Sequence, residues 1–127
     1  MHTNKEIIKE LRTWARENLQ GKVIEPANFG KKIVFTTKGI KEYLNQPHKH
    51  YHKKNELLKE IPELLNNAKY MGRTTYHKER NYILASHIFE IKINGDKTWL
   101  IARENIEGVI TFYSISDSEK VLLGVKK

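Results

Sequence analysis

The sequence predicts an α+β domain in which N-terminal helices pack on a C-terminal antiparallel β-sheet meander of about four strands. In the first half of the chain, apolar residues recur at the three- and four-residue steps of amphipathic helices. After residue 86 they alternate with polar residues, as in strands, and Asn94-Gly95 marks a tight hairpin. Because the 127 residues contain no internal repeat or linker, we expect one domain, residues 1–127.

The first predicted helix covers residues 5–19 and ends at Gly21. A short strand is predicted at residues 32–35 (KIVF), and Thr36 or Thr37 is expected to cap a helical turn after it.

A further helix is predicted to begin at Pro47, since proline is tolerated in a first turn where its missing N–H has no partner. Pro62 is expected to break this helix and to start another over residues 62–70. The polar stretch 72–81 is expected to form a basic loop.

Three strands are then predicted, over residues 87–93, 97–103 and 109–116. The tight turn places residues 86–88 beside 101–103. The last residues of the chain are predicted to form a short closing helix.

Composition narrows the classes of partner. The chain has 23 Lys and Arg against 15 Asp and Glu, a net charge of +8, which favours nucleic acid over an anionic membrane surface. With no cysteine, disulfides and thiolate metal sites are excluded. No apolar run approaches the roughly 20 residues of a membrane span, and the N-terminus does not resemble a signal peptide. A cytoplasmic protein without a membrane partner is therefore expected.

The stretch QPHKHYHKKN, residues 46–55, holds three of the six histidines. If a helix runs unbroken from Pro47, its spacing from Leu58 and Ile61 extends the buried stripe to His50, Tyr51 and Lys54. The residues expected to face solvent or the sheet edge are His48, Lys49, His52 and Lys53.

The predicted strands supply further polar groups. His87 lies on the same face as Phe89, and the hairpin register makes Arg103 its near neighbour. On the third strand, regular alternation puts Phe112, Ser114 and Ser116 on one face, and Tyr113 and Ile115 on the other.

Two stretches carry a family resemblance. They are residues 33–70 (IVFTTKGIKEYLNQPHKHYHKKNELLKEIPELLNNAKY) and 87–117 (HIFEIKINGDKTWLIARENIEGVITFYSISD). Both resemble the phage- and mobile-element-associated nucleases of the Barnase–EndoU–colicin–RelE-like (BECR) superfamily. The resemblance implies helices followed by a four-stranded antiparallel sheet. It also implies a metal-independent ribonuclease that acts as a toxin or is delivered into a host cell.

Metal-free RNA cleavage needs a base, an acid and cations near the phosphate. We predict His50 as the leading base or acid, with His48 or His87 as its complement. Lys54 and Arg103 are predicted to clamp the phosphate, and all five groups are expected to surround one phosphodiester. The predicted substrate-binding residues are Ser114, Ser116, Lys53 and His52.

Three alternatives remain at this point. His48 and His52 could share a metal ion with His77 or Glu79, although neither an intervening glutamate nor a cysteine supports this. The chain could be a non-catalytic basic module that binds nucleic acid, or a protein-binding domain. For the ribonuclease we expect RNA as partner, no cofactor, and an inhibitor protein that protects the host.

Overall fold

The computed structural model describes residues 4–75 and 83–126, and within them the chain forms four α-helices. These are α1 (Asn4–Asn18), α2 (Thr37–Asn45), α3 (Tyr51–Glu56) and α4 (Ile61–Asn67). Two short 3₁₀ helices lie at Leu57–Glu60, between α3 and α4, and at Glu119–Leu122. No helix in these ranges combines the length and the apolar character that crossing a membrane requires.

Six strands of the described chain form one mixed sheet in the order β1-β2-β6-β5-β4-β3. They are β1 (Val23–Ile24), β2 (Ile33–Phe35), β3 (Lys69–Thr74), β4 (Ile83–Ile93), β5 (Asp96–Asn105) and β6 (Ile110–Ser116). Neighbours are antiparallel except β2 and β6, which are parallel. The predicted α+β class is therefore confirmed. The four-stranded antiparallel meander is only partly matched, because β4, β5 and β6 form a meander that three further strands extend.

Strand β3 lies where the sequence predicted the end of a helix and the start of a loop. Residues 69–70 were expected to end a helix and 72–74 to lie in a loop, yet all of them pair with β4. Pairing with a long neighbouring strand overrides the weak local preference of this polar stretch. Residues 76–81 of the predicted loop lie outside the described residues.

Helix α3 begins at Tyr51 rather than at Pro47. The Lys49 N–H donates to Asp117 Oδ2 at 2.8 Å, and the His50 N–H donates to His48 Nδ1 at 2.9 Å. Side chains therefore satisfy donors that lie ahead of the helix, so residues 47–50 form a loop.

The hairpin between β4 and β5 has the expected register. Ile93 pairs with Asp96 across a two-residue turn, in which Asn94 and Gly95 have φ of 51° and 83°. Positive φ at both positions is the signature of a type I′ turn. Residues 86–88 pair with 103–101, as predicted.

Strand β6 departs from the predicted alternation at Tyr113. Ile101 pairs with Ser114 and Ala102 with Phe112, so Tyr113 is an extra residue in β6. This bulge places Phe112 and Ile115 together in the core. The predicted face shared by Phe112, Ser114 and Ser116 is therefore wrong, because Ser114 and Ser116 point away from the core.

The helices pack on one face of the sheet. The core contains apolar side chains from α1, α2 and α4 together with Phe89, Leu100, Phe112 and Ile115 of the central strands. Alternate residues of these strands point to the opposite face, which we call the outer face. It carries Ser86, Arg103 and Ser114.

Candidate functional site

His50 and Asp96 form a close pair at the hairpin-turn end of the sheet. The His50 Nε2 atom lies 2.6 Å from Asp96 Oδ2, and the side chains are 26% and 47% exposed. The hydrogen bond from His50, followed by the charge of Lys49, lowers the pKa of Asp96. A carboxylate that accepts the Nε2 proton leaves the lone pair of a neutral imidazole on Nδ1. Nδ1 has no hydrogen-bond partner in the described part of the chain, so its geometry suits a general base.

His48 uses both ring nitrogens within the protein. Its Nδ1 accepts the His50 N–H, and its Nε2 lies 2.8 Å from Thr98 Oγ1. The Thr98 hydroxyl donates its proton to the Ser116 carbonyl at 2.8 Å, so His48 Nε2 must donate to Thr98. Burial lowers the pKa of His48 and outweighs the opposing effect of Asp117. These contacts hold a neutral ring that positions the loop, which differs from the predicted proton-transfer role.

Lys54 is fully buried beneath the histidine loop. Its Nζ atom donates to the carbonyl oxygens of Tyr43, Leu44 and Gln46, at 2.7, 3.3 and 2.6 Å. Burial lowers the pKa of Lys54 to about 8, so the amine stays mostly protonated at pH 7. Three carbonyls occupy its three donors, and the ammonium stabilises the C-terminal end of α2. This contradicts the placement needed for a phosphate clamp, although the predicted burial of Lys54 is confirmed.

His87 is only 1% exposed and lies on the core face of β4. Its Nε2 is 2.8 Å from Glu104 Oε1, its Nδ1 is 2.8 Å from the Tyr70 hydroxyl, and the Phe29 ring centroid is 4.9 Å from its own. Burial lowers the pKa of His87, an effect that the hydrogen bond to Glu104 opposes. These contacts enclose the ring and occupy both of its nitrogens, and the catalytic role of His87 stays a prediction.

Arg103 lies on the outer face, where it lines a cavity of about 400 Å³. Its guanidinium carbon is 3.5 Å from the centroid of the Tyr113 ring. Ser86, Ser114 and Ser116 line the same cavity. The structure therefore brings three of the predicted residues, Arg103, Ser114 and Ser116, to one cavity. Their side chains are hydrogen-bond donors that suit a phosphate or a ribose.

A second hollow of about 300 Å³ shares Arg103 and Tyr113 with this cavity. Thr36, Lys38 and Asn105 contribute to its other side. The Arg103–Tyr113 pair therefore lines both hollows, which together we call the outer-face groove.

The predicted convergence on one phosphate is not found. His87 and Arg103 are neighbours in the register but occupy opposite faces of the sheet. Asp96 begins β5 and Arg103 lies seven residues later, which at about 3.3 Å per residue is about 23 Å along the strand. The His50–Asp96 pair and the Arg103 groove are thus two separate places. Ser116 lies between them, because its carbonyl accepts the Thr98 bond while the residue also lines the cavity.

His52 and Lys53 are exposed on α3, where phosphate contact is sterically open to them. Among the described residues no group of three or more His, Cys, Asp or Glu side chains could hold a metal ion. His77 and Glu79, the other ligands weighed for a metal site, lie outside those residues.

Sequence reasoning missed Asp96, Thr98 and Tyr113. The first two meet the histidine loop only through contacts between residues 46 or more positions apart. Tyr113 faces Arg103 because of the bulge in β6. One local signal could have identified Asp96. An acidic residue directly after the Asn94-Gly95 turn is expected at a solvent-accessible end of the sheet.

Comparisons with known proteins give one match. No curated protein and no solved structure matches the chain. The family model of large polyvalent protein-associated domain 3 matches residues 2–113. The match suggests a phage- or polyvalent-protein-associated domain, which agrees with the predicted phage setting but does not confirm the predicted BECR nuclease assignment. Because the match covers most of its length, the chain belongs to the large polyvalent protein-associated domain 3 family.

Proposed function

We propose that this domain is a metal-independent endoribonuclease of BECR type, in which His50 acts as general base. The observation that carries the proposal is the His50–Asp96 pair, with Nε2 and Oδ2 2.6 Å apart and the ring only partly exposed. Asp96 fixes both the orientation and the tautomer of the ring, so the lone pair of Nδ1 is available to a substrate.

The proposed reaction is an intramolecular transesterification. His50 Nδ1 takes the proton of the ribose 2′-hydroxyl, the 2′-oxygen attacks the adjacent phosphorus, and the bond to the 5′-oxygen breaks. The products are a 2′,3′-cyclic phosphate and a 5′-hydroxyl, whose oxygen takes its proton from water. Lys49 is exposed beside His50, and its charge, which helps to lower the pKa of Asp96, supports a role in stabilising negative charge on the phosphorane.

The outer-face groove supports RNA as the substrate. A guanidinium stacked on a tyrosine offers both a phosphate contact and a surface for a base, and the surrounding hydroxyls suit the sugar–phosphate backbone. The net charge of +8 favours the same polyanion. RNA held along this groove could extend towards the histidine loop through Ser116.

A second candidate is a non-catalytic module that binds RNA. It is favoured by the state of the other predicted catalytic groups: His48 and His87 have both ring nitrogens engaged, and Lys54 is buried. General acid–base cleavage is most efficient with two titrating groups, whereas of the three histidines predicted to be catalytic only His50 has a geometry that suits proton transfer.

One experiment separates the two functions. The full chain is incubated with total RNA in EDTA, product ends are analysed, and binding of a non-cleavable 2′-deoxy-substituted RNA is measured by fluorescence anisotropy. For the native chain we expect product ends with a cyclic phosphate. For His50→Gln we expect a cleavage rate about 100-fold lower, while its affinity for the non-cleavable RNA stays within about twofold of the native value. Asp96→Asn should also slow cleavage, whereas Glu63→Gln, which changes an exposed carboxylate on α4, should not. Binding without cleavage by the native chain would establish the second candidate instead.

A further inference from the structure

A pocket of about 200 Å³ lies between α1 and α2, on the helical side of the molecule. Its polar lining consists of hydrogen-bond donors: Arg12, Arg16 and Gln20 from α1 and the following turn, and Thr37 and Lys41 from α2. Arg12 and Arg16 are one helical turn apart, so their guanidinium groups leave the same face of α1. The proposed reaction does not involve these residues.

The described lining of the pocket is positively charged and contains no carboxylate that would balance this charge. Three cations line it, and no carboxylate of the described residues does. Within residues 4–75 and 83–126, none of the five polar side chains forms a hydrogen bond or an ion pair. A hollow of about 530 Å³ elsewhere differs, because Glu25 and Glu104 line it together with Lys31 and Lys32. Three like charges around one hollow repel each other, and a bound anion relieves that repulsion.

We propose that the α1–α2 pocket binds a phosphate group. Its oxygens only accept hydrogen bonds when the group is fully ionised, which matches a lining made of donors. Planar guanidinium groups bind two phosphate oxygens at once, and Arg12 and Arg16 supply two of them to one hollow.

The position of the pocket suggests the source of the phosphate. Thr36, Lys38 and Gly39 line the hollow beside Arg103, whereas Thr37 and Lys41 line the α1–α2 pocket. The first residues of α2 therefore lie between the two, and a chain of phosphates can pass from the outer-face groove around this helix end. We assign the pocket to the backbone of bound RNA, a step that rests on the proposed function.

The test compares two triple variants of the full chain. Arg12→Gln/Arg16→Gln/Lys41→Gln removes the pocket cations, and Lys31→Gln/Lys32→Gln/Lys59→Gln removes three exposed cations elsewhere. Both lower the formal net charge from +8 to +5, so a difference between them reports the pocket rather than total charge. Thermal unfolding of each variant verifies that it is folded.

Inorganic phosphate is the first probe. Inorganic phosphate should shift the NMR resonances of Arg12, Arg16 and Lys41 when it is titrated into the native chain. It should shift the same resonances in the control variant. The pocket variant should show no saturable shift. Absence of these shifts in the native chain, or equal shifts of all surface lysines and arginines, would overturn the phosphate site.

Single-stranded RNA of about 15 nucleotides, with 2′-deoxy substitution against cleavage, is the second probe. Each phosphate contact contributes about 0.7 to the slope of log affinity against log salt, so three lost contacts should lower the slope by about 2. The control variant should lower it by less than half as much. If phosphate binds the pocket while RNA does not bind the native chain, the pocket serves a small phosphorylated ligand and the proposed function fails. If RNA is bound and cleaved but both variants behave alike, the assignment of the pocket to RNA fails.

Discussion

The Nζ atom of Lys54 lies 2.6 Å from the carbonyl oxygen of Gln46, and this hydrogen bond ties α3 to the loop that carries His48 and His50. The backbone repeats the connection, since the Lys54 N–H donates to the His50 carbonyl at 2.8 Å. A side chain that the sequence suggested for phosphate contact thus holds the candidate base in position from within the core.

We expect Lys54→Met to lower the free energy of unfolding by about 1–3 kcal/mol. Methionine keeps the length of the side chain but leaves the carbonyls of Tyr43, Leu44 and Gln46 without their donor in a buried place. Urea unfolding measures the change. Lys53→Met, at the exposed neighbouring position, should change the free energy by less than about 0.5 kcal/mol. Equal effects of the two variants would show that the three carbonyls do not depend on Lys54.

Local chemistry accounts for the features that the sequence could predict. Asn94 and Gly95 accept positive φ, and the turn they form fixes the pairing of β4 with β5. The Thr36 hydroxyl accepts the Gly39 N–H at 3.1 Å and starts α2. The burial of Lys54 followed from its spacing from Leu58. Each of these depends on residues only a few positions apart.

The unpredicted features depend on residues that are distant in sequence. The parallel pairing of β2 with β6 joins residues 34–35 to 111–112, and no local pattern specifies it. The bulge at Tyr113 arises from a register shift against β5, and it reverses the faces of Ser114 and Ser116. The His50–Asp96 contact forms only when the loop before α3 folds over the hairpin turn. For this reason the sequence predicted His50 and Arg103 as candidate site residues but not Asp96 and Tyr113, which they contact.

Gly39→Ala should destabilise the protein, although alanine is the better helix former. In an exposed helix this exchange gains about 1 kcal/mol. Here a Cβ atom at Gly39 would clash with the carbonyl oxygen of Phe112, so α2 would have to move away from β6. We expect a loss of about 1–3 kcal/mol in urea unfolding. Lys38→Ala, in the same turn, is the control and should change the free energy of unfolding by less than about 0.5 kcal/mol. If Gly39→Ala instead stabilised the protein, α2 would not pack this closely against β6.

The protein should lose stability as the pH falls through about 6.5. Burial lowers the pKa of His48 and His87 below the ordinary value of 6.5, so below that pH the unfolded chain binds more protons than the folded one. The free energy of unfolding then decreases with falling pH, by up to about 1.4 kcal/mol per pH unit for each histidine. Urea unfolding between pH 5 and 7.5 measures the slope. His87→Gln should make the dependence of unfolding free energy on pH shallower, whereas His52→Ala, at an exposed position, should leave it unchanged. Identical slopes in the native chain and both variants would show that His87 does not cause the loss of stability.

Arg103→Lys should weaken RNA binding about two- to fivefold without changing its salt dependence. Lysine keeps the charge but loses the planar guanidinium, which can bind two phosphate oxygens at once, and the lost hydrogen bond contributes about 0.5–1 kcal/mol. Arg103→Gln removes the charge as well and should lower the salt slope by about 0.7, the contribution of one phosphate contact.

Fluorescence anisotropy with 2′-deoxy-substituted RNA at four salt concentrations distinguishes these outcomes for Arg103. Lys59→Gln removes an exposed cation outside the groove and serves as the charge control. If Arg103→Gln changes affinity and slope no more than Lys59→Gln does, RNA does not lie on the outer face. In that case the histidine loop alone, rather than a groove extending from it, would have to hold the substrate.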